Sequence, residues 1–124
     1  MILFDVLFSC DSLFIILLFS LLDINPLQNW NTQNCNDFSY IFHRCTSLLN
    51  IKGLEKWNVS NSENFKGMFC ECSAISDIKP LENWNISKCK EFQDMFSKCT
   101  SLLDITVLKN WNISLENIKL LKKE

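Results

Sequence analysis

The stretch 78–104, IKPLENWNISKCKEFQDMFSKCTSLLD, decides how the chain is read, because its pattern already occupies 24–50 and 51–77 and starts again at Ile105. Trp30, Trp57, Trp84 and Trp111 stand 27 residues apart, and each is followed by an asparagine. The same interval links Leu27, Leu54, Leu81 and Leu108, and likewise Ile24, Ile51, Ile78 and Ile105. It also links Phe38, Phe65 and Phe92, then Phe42, Phe69 and Phe96, then Cys45, Cys72 and Cys99. Six columns in register, with no insertion or deletion across three full units, exclude coincidence. One unit of this size cannot bury its apolar face alone, whereas stacked copies make one continuous core.

Within the unit, Phe92, Met95, Phe96 and Cys99 fall at i, i+3, i+4 and i+7, which predicts a short helix or helical turn over 90–99. The segment Ser101–Ile105 is short and apolar like a strand, and Trp84–Ser87 reads as a bend or a second short strand, its Asn and Ser suited to turns. The expected fold class is therefore an α/β repeat solenoid, with one or two short strands plus a short helix or helical turn per 27-residue unit. The repeat region spans 24–114, and 115–124 reads as a C-terminal helix or frayed tail. Residues 1–23 form a less regular, hydrophobic terminal unit, in which the run around Cys10 matches 95–102 with one residue missing. Leu13 to Leu22 has the length of a signal h-region, yet no Lys or Arg precedes it, so a terminal unit is favoured over a signal or anchor. Membrane association stays open.

Composition narrows the function. Twelve basic residues against fourteen acidic ones leave no surplus for holding phosphate backbones, which argues against nucleic acid. Two glycines and a single histidine, His43, do not supply a glycine-rich phosphate loop, a histidine-based metal site or an ordinary triad. No catalytic residue, cofactor or metal is expected. His43 shares a column with Cys70 and Ser97 that tolerates any residue and so reads as solvent-facing. A Cys–His pair there lacks an orienting third group and an oxyanion site. The Cys45, Cys72, Cys99 column reads as reduced core, since parallel side chains in a ladder do not point at each other as a disulfide requires. A disulfide or metal is the alternative. Trp30, Trp57, Trp84 and Trp111 read as core or edge packing rather than an exposed aromatic stripe. The triplets Asn58-Val-Ser60, Asn85-Ile-Ser87 and Asn112-Ile-Ser114 fit glycosylation sequons, but each arises from the turn that the repeat itself needs.

Trp-Asn-(Val/Ile)-Ser, then Met-Phe, then Cys-x-Ser-Leu, resembles the BspA-like leucine-rich repeat family over roughly residues 20–114. That resemblance implies a short leucine-rich-repeat-like solenoid, a role in adhesion or protein recognition, and a cell-surface or secreted location. The columns that vary are where a recognition surface would be written. Arg44, Glu71 and Lys98 share one, and Gln28, Glu55, Glu82 and Lys109 share another. Alternating signs there predict cross-turn ion pairs and contacts with a protein partner. The competing expectation is a structural or relic fragment of a longer array, associating end to end and without a binding activity of its own.

Register follows directly from the period. Deleting Ile51–Asp77 removes one whole unit and keeps every later column in line, whereas deleting Ile51–Trp57 displaces them all. Thermal melts followed by circular dichroism should show a cooperative transition, at lowered temperature, for the first deletion and none for the second.

Overall fold

The computed structural model describes residues 22–122, so the expectations for the terminal unit, including the Leu13–Leu22 run and Cys10, fall largely outside the described residues. The 27-residue units stack as successive coils, and the columns of the sequence become columns in space. Phe42, Phe69 and Phe96 stack ring on ring with centroids 5.5 and 5.6 Å apart. Phe38 and Phe65 do the same at 5.8 Å, and Trp30 and Trp57 also at 5.8 Å. Every Ile, Leu and Phe of these columns in coils 24–50, 51–77 and 78–104 is buried, and so are Cys45, Cys72 and Cys99. Trp57, Trp84 and Trp111 are buried too, while Trp30 packs partly buried against the core. The packing reading of the Trp and Phe columns is what the structure shows.

The expected α/β repeat solenoid is not. Among the described residues there is no strand and no sheet, only four 3-10 segments, one short α-helix and turns. Inter-coil pairing in the sheet sense is reduced to the isolated bridges Asp23–Asn50, Asp37–Asn64 and Asn64–Glu91. The reason lies in where the backbone N–H groups go. Those of Phe38, Tyr40, Phe42 and Arg44 donate to the carbonyls of Asn64, Lys66, Met68 and Cys70 in the next coil, at 2.8–2.9 Å. The intervening N–H groups of Ile41, His43 and Cys45 turn back to the carbonyls three residues earlier in their own coil. Coil 51–77 repeats the alternation, with Phe65, Gly67, Phe69 and Glu71 donating forward and Met68, Cys70 and Cys72 turning back.

This alternation explains why the helical spacing is deceptive. The i, i+3, i+4, i+7 residues Phe92, Met95, Phe96 and Cys99 are indeed buried, but by consecutive three-residue turns and not by a helix. Each coil passes through the left-handed region at every fourth position, Tyr40 and Arg44 in the first, Gly67 and Glu71 in the second, Asp94 and Lys98 in the third. A right-handed helix cannot continue through φ near +60°. The Ser101–Ile105 strand is absent for another reason: Leu102 is fully buried and Leu103 is 91% exposed, as in a strand, but neither joins a ladder.

On the other side of each coil, Asp23, Asn50, Asp77 and Asp104 accept the N–H two residues on, at 2.8–3.0 Å. These Asx turns open the 3-10 segments Asn25–Leu27, Lys52–Lys56, Lys79–Leu81 and Thr106–Trp111. The Trp-Asn-x-Ser corner works alike, with the Oδ1 atoms of Asn58 and Asn85 accepting from Ser60 and Ser87 at 3.1 Å. That is the turn role expected of the sequon asparagines Asn58 and Asn85, whereas Asn112 ends the preceding 3-10 segment in the left-handed region.

Two side-chain ladders tie coil to coil. The indole Nε1 of Trp57, Trp84 and Trp111 donates to the carbonyl of Leu27, Leu54 and Leu81, each 30 residues earlier, at 2.9 Å. The thiols of Cys72 and Cys99 donate to the carbonyls of Phe42 and Phe69, also 30 residues earlier, at 2.9 and 3.0 Å. The three cysteines are free thiols, and their column is a hydrogen-bonding element of the core. Burial pushes the Cys99 thiol up to about 12, which keeps it protonated and able to donate. Cys35 and Cys89 are two periods apart in one column, with Ser62 between them; Cys89 is free and Cys35 is disulfide-bonded, so these two are not bridged to each other.

The last coil meets α1 (Leu115–Leu121), whose N-terminus is capped by Ser114 accepting from the Asn117 N–H. Asp94 and Phe96, which occupy the forward-donating positions of their coil, donate to the carbonyls of Leu120 and Leu121 at the helix end. Lys122 Nζ reaches the carbonyls of Cys99 and Leu102. The helix thus takes the place of a next coil for backbone groups that would otherwise be unpaired.

Phe69→Ala empties the middle of a three-ring stack and should cost about 3–5 kcal/mol. Trp84→Phe keeps a ring but removes one donor from the Leu54 carbonyl, which retains its bond from the Trp57 N–H, and should cost about 1–3 kcal/mol. Urea melts of both proteins check the order.

Candidate functional site

The forward-donating ladder leaves one face of the stack carrying three side-chain columns. Tyr40, Gly67 and Asp94 form the first, His43, Cys70 and Ser97 the second, and Arg44, Glu71 and Lys98 the third. The outer two are the left-handed columns, with φ between 58° and 65° for all six residues. At Gly67 the reason for glycine is local, because a Cβ there would lie 2.2 Å from the Tyr40 ring. Tyr40 in turn packs edge-on against His43, centroids 5.6 Å apart.

Glu71 is the centre of the face. Its Oε2 accepts from Arg44 Nε at 2.9 Å, while its Oε1 faces Lys98 Nζ at 3.8 Å and His43 Nε2 at 4.0 Å. The expected cross-turn pairing of Arg44, Glu71 and Lys98 is therefore present. Their side chains differ in exposure, with Arg44 at 60%, Lys98 at 66% and Glu71 at 28%. The Arg44 hydrogen bond, reinforced by the charges of Arg44, Lys98 and His43, holds the Glu71 carboxyl below the usual carboxylate range.

The second predicted column behaves differently. Glu55 and Lys109 are exposed and Glu82 is half-buried, but none of the three makes an ion pair among the described residues. Glu55 and Glu82 instead line an open groove of about 450 Å³ together with Lys52, Lys79 and Trp84. The groove runs between coils 51–77 and 78–104, on the side of the 3-10 segments. The two predicted columns thus lie on different parts of the surface and do not combine into one site.

The His43 column is where sequence reasoning missed most. Read as solvent-facing, it is half-buried at His43 and Cys70 and buried at Ser97. One ligand atom each of His43, Cys70 and Glu71 lies within 4.8 Å of the others. The signal was available, since His43 and Cys70 are one period apart and Glu71 follows directly. Burial, with the charges of Glu71 and Asp94, pushes the Cys70 thiol up, so the free side chain is a thiol and not a ready nucleophile. No helix among the described residues is long and apolar enough to cross a membrane.

Residues 14–121 match the family described as Mycoplasma protein of unknown function, DUF285. No curated protein and no solved structure matches the chain.

Arg44→Ala should return the Glu71 carboxyl towards its ordinary value, seen by NMR titration of its side chain. A carboxyl held low by the fold contributes stability above its ordinary range and loses that contribution as pH falls through the lowered value. The stability difference between the wild-type chain and Arg44→Ala should accordingly shrink on acidification.

Proposed function

Given that the chain belongs to the DUF285 family, we propose that it is a non-enzymatic protein-recognition module that presents charged side chains from a rigid stack of coils. The observation that supports this most is the left-handed column Arg44, Glu71, Lys98. A non-glycine residue in that region costs roughly 1 kcal/mol, and glycine or asparagine would relieve it. All three coils nevertheless carry a long charged side chain there, of alternating sign. Backbone preference therefore does not account for these residues, and packing does not account for Arg44 or Lys98, which are mostly in solvent. Strain maintained at a surface position is a reason to infer use of the side chain. Adhesion or recognition is also what the BspA-like resemblance implies.

Complementary charge on a partner would speed encounter and fix register on such a face. The Glu55–Glu82 groove, whose lining mixes these carboxylates with Lys52 and Lys79, adds a second contact. End-to-end association through the C-terminal side would have to displace α1 from the N–H groups of Asp94 and Phe96.

Lys98→Gly removes a charge and relaxes the backbone, so it should leave the melting temperature unchanged or raised while weakening capture of the partner from the native source. Glu55→Lys with Glu82→Lys should weaken capture likewise without lowering the melting temperature. Capture should also fall with added salt. Capture unaffected by all of these changes would place recognition elsewhere.

A further inference from the structure

We propose that His43, Cys70 and Glu71 form a binding site for a zinc-class divalent cation where coils 24–50 and 51–77 meet. An imidazole nitrogen, a sulfur and a carboxylate oxygen all lie within 4.8 Å of one another. Zn²⁺ takes these three donor types at about 2.0–2.3 Å, which sets tetrahedral neighbours roughly 3.5 Å apart. His43 Nε2 and Glu71 Oε1 are already 4.0 Å apart, so small side-chain rotations close the triad. The mixed nitrogen, sulfur and oxygen set favours a borderline cation over Ca²⁺ or Mg²⁺, which take oxygen ligands. The three residues are half-buried, so the donors are partly shielded from water yet reachable.

The surroundings hold the donors in place. Tyr40 braces the His43 ring from one side, and its own ring lies over the space left by Gly67. The backbone N–H of Cys70 donates to the Gly67 carbonyl and its carbonyl accepts from Arg44, which fixes the base of the thiol. Arg44 occupies Glu71 Oε2 and leaves Oε1 turned towards His43. Groups that orient the ligands in this way are characteristic of metal sites. The opposing group is Lys98, whose ammonium lies 3.8 Å from Oε1 and would be displaced by the incoming cation. Its side chain is 66% exposed and can swing into solvent. Binding exchanges the Cys70 S–H bond for a sulfur–metal bond and releases the thiol proton to water, with no change of oxidation state.

Titration of the full chain with Co²⁺ should bind one equivalent and produce a sulfur-to-cobalt charge-transfer band that added Zn²⁺ removes. Cys70→Ser should abolish that band, whereas Cys89→Ser should keep it. By calorimetry, His43→Gln should weaken Zn²⁺ binding at least about tenfold. Lys98→Ala, which removes a like charge next to the site, should tighten it about threefold or more. Near-ultraviolet circular dichroism of the tryptophan stack should be unchanged in every variant, which separates loss of the site from loss of the fold. If Cys70→Ser disrupts that signal, Glu71→Gln and His43→Gln carry the decision instead. No bound equivalent at micromolar metal overturns the assignment. So does a cobalt band that survives Cys70→Ser, or Zn²⁺ affinity indifferent to both His43→Gln and Glu71→Gln.

Discussion

The stack depends on carbonyl groups that serve two coils at once. The Leu54 carbonyl accepts the Trp57 N–H, closing a turn in its own coil, and the Trp84 indole N–H from the next. The Leu27 and Leu81 carbonyls do the same with Trp30 and Trp57, and with Trp84 and Trp111. Phe42 and Phe69 use the cysteine thiols in the equivalent role. A carbonyl oxygen has two lone pairs, and buried polar groups are costly to leave unpaired. Only a side chain with a buried apolar body and a single donor at its tip can fill that position from one coil away. Trp and Cys both meet the requirement, and Trp57, Trp84, Trp111, Cys72 and Cys99 fill it.

Backbone N–H groups are divided by the same logic. Alternate ones close turns and the others cross to the next coil, so the coil is held together locally and longitudinally by one run of residues. Alternation obliges the chain to visit the left-handed region twice in each such run. Side chains at those positions are not part of the core, and apart from Gly67, which the Tyr40 ring keeps small, their identity is released from core packing. Tyr40, Gly67 and Asp94 differ from one another, as do Arg44, Glu71 and Lys98, while the buried Phe42 and Cys45 columns beside them stay constant. The rigid part of the molecule thus creates a variable face as a by-product of its hydrogen bonding.

That face also gathers groups that the linear chain keeps far apart. One period brings His43 beside Cys70, and the forward ladder sets Glu71 between Arg44 and Lys98. Both roles proposed for the cluster, an ion site and a partner contact, draw on the hydrogen-bonded, buried coils beneath it, because side chains already held in place need little ordering on binding.

Much of the architecture was legible in the sequence. The period, the stacking of the three described coils, the burial of the Ile, Leu, Phe, Trp and Cys columns and the pairing of Arg44 with Glu71 all follow from residues recurring at 27, because stacked identical units must place identical positions over one another. The type of local structure was not legible. A helix and a run of three-residue turns bury the same i, i+3, i+4 and i+7 positions, and the choice between them is made by where the N–H groups find acceptors. Those acceptors lie in the next coil, so Phe92 to Cys99 cannot be read from its own residues. The cysteine thiols as donors and α1 as the substitute for a further coil belong to the same class. Recurrence along the chain determines which residues share a column, whereas the angle at which each side chain leaves the backbone is set by hydrogen bonds between coils, and these exist only once the coils are stacked.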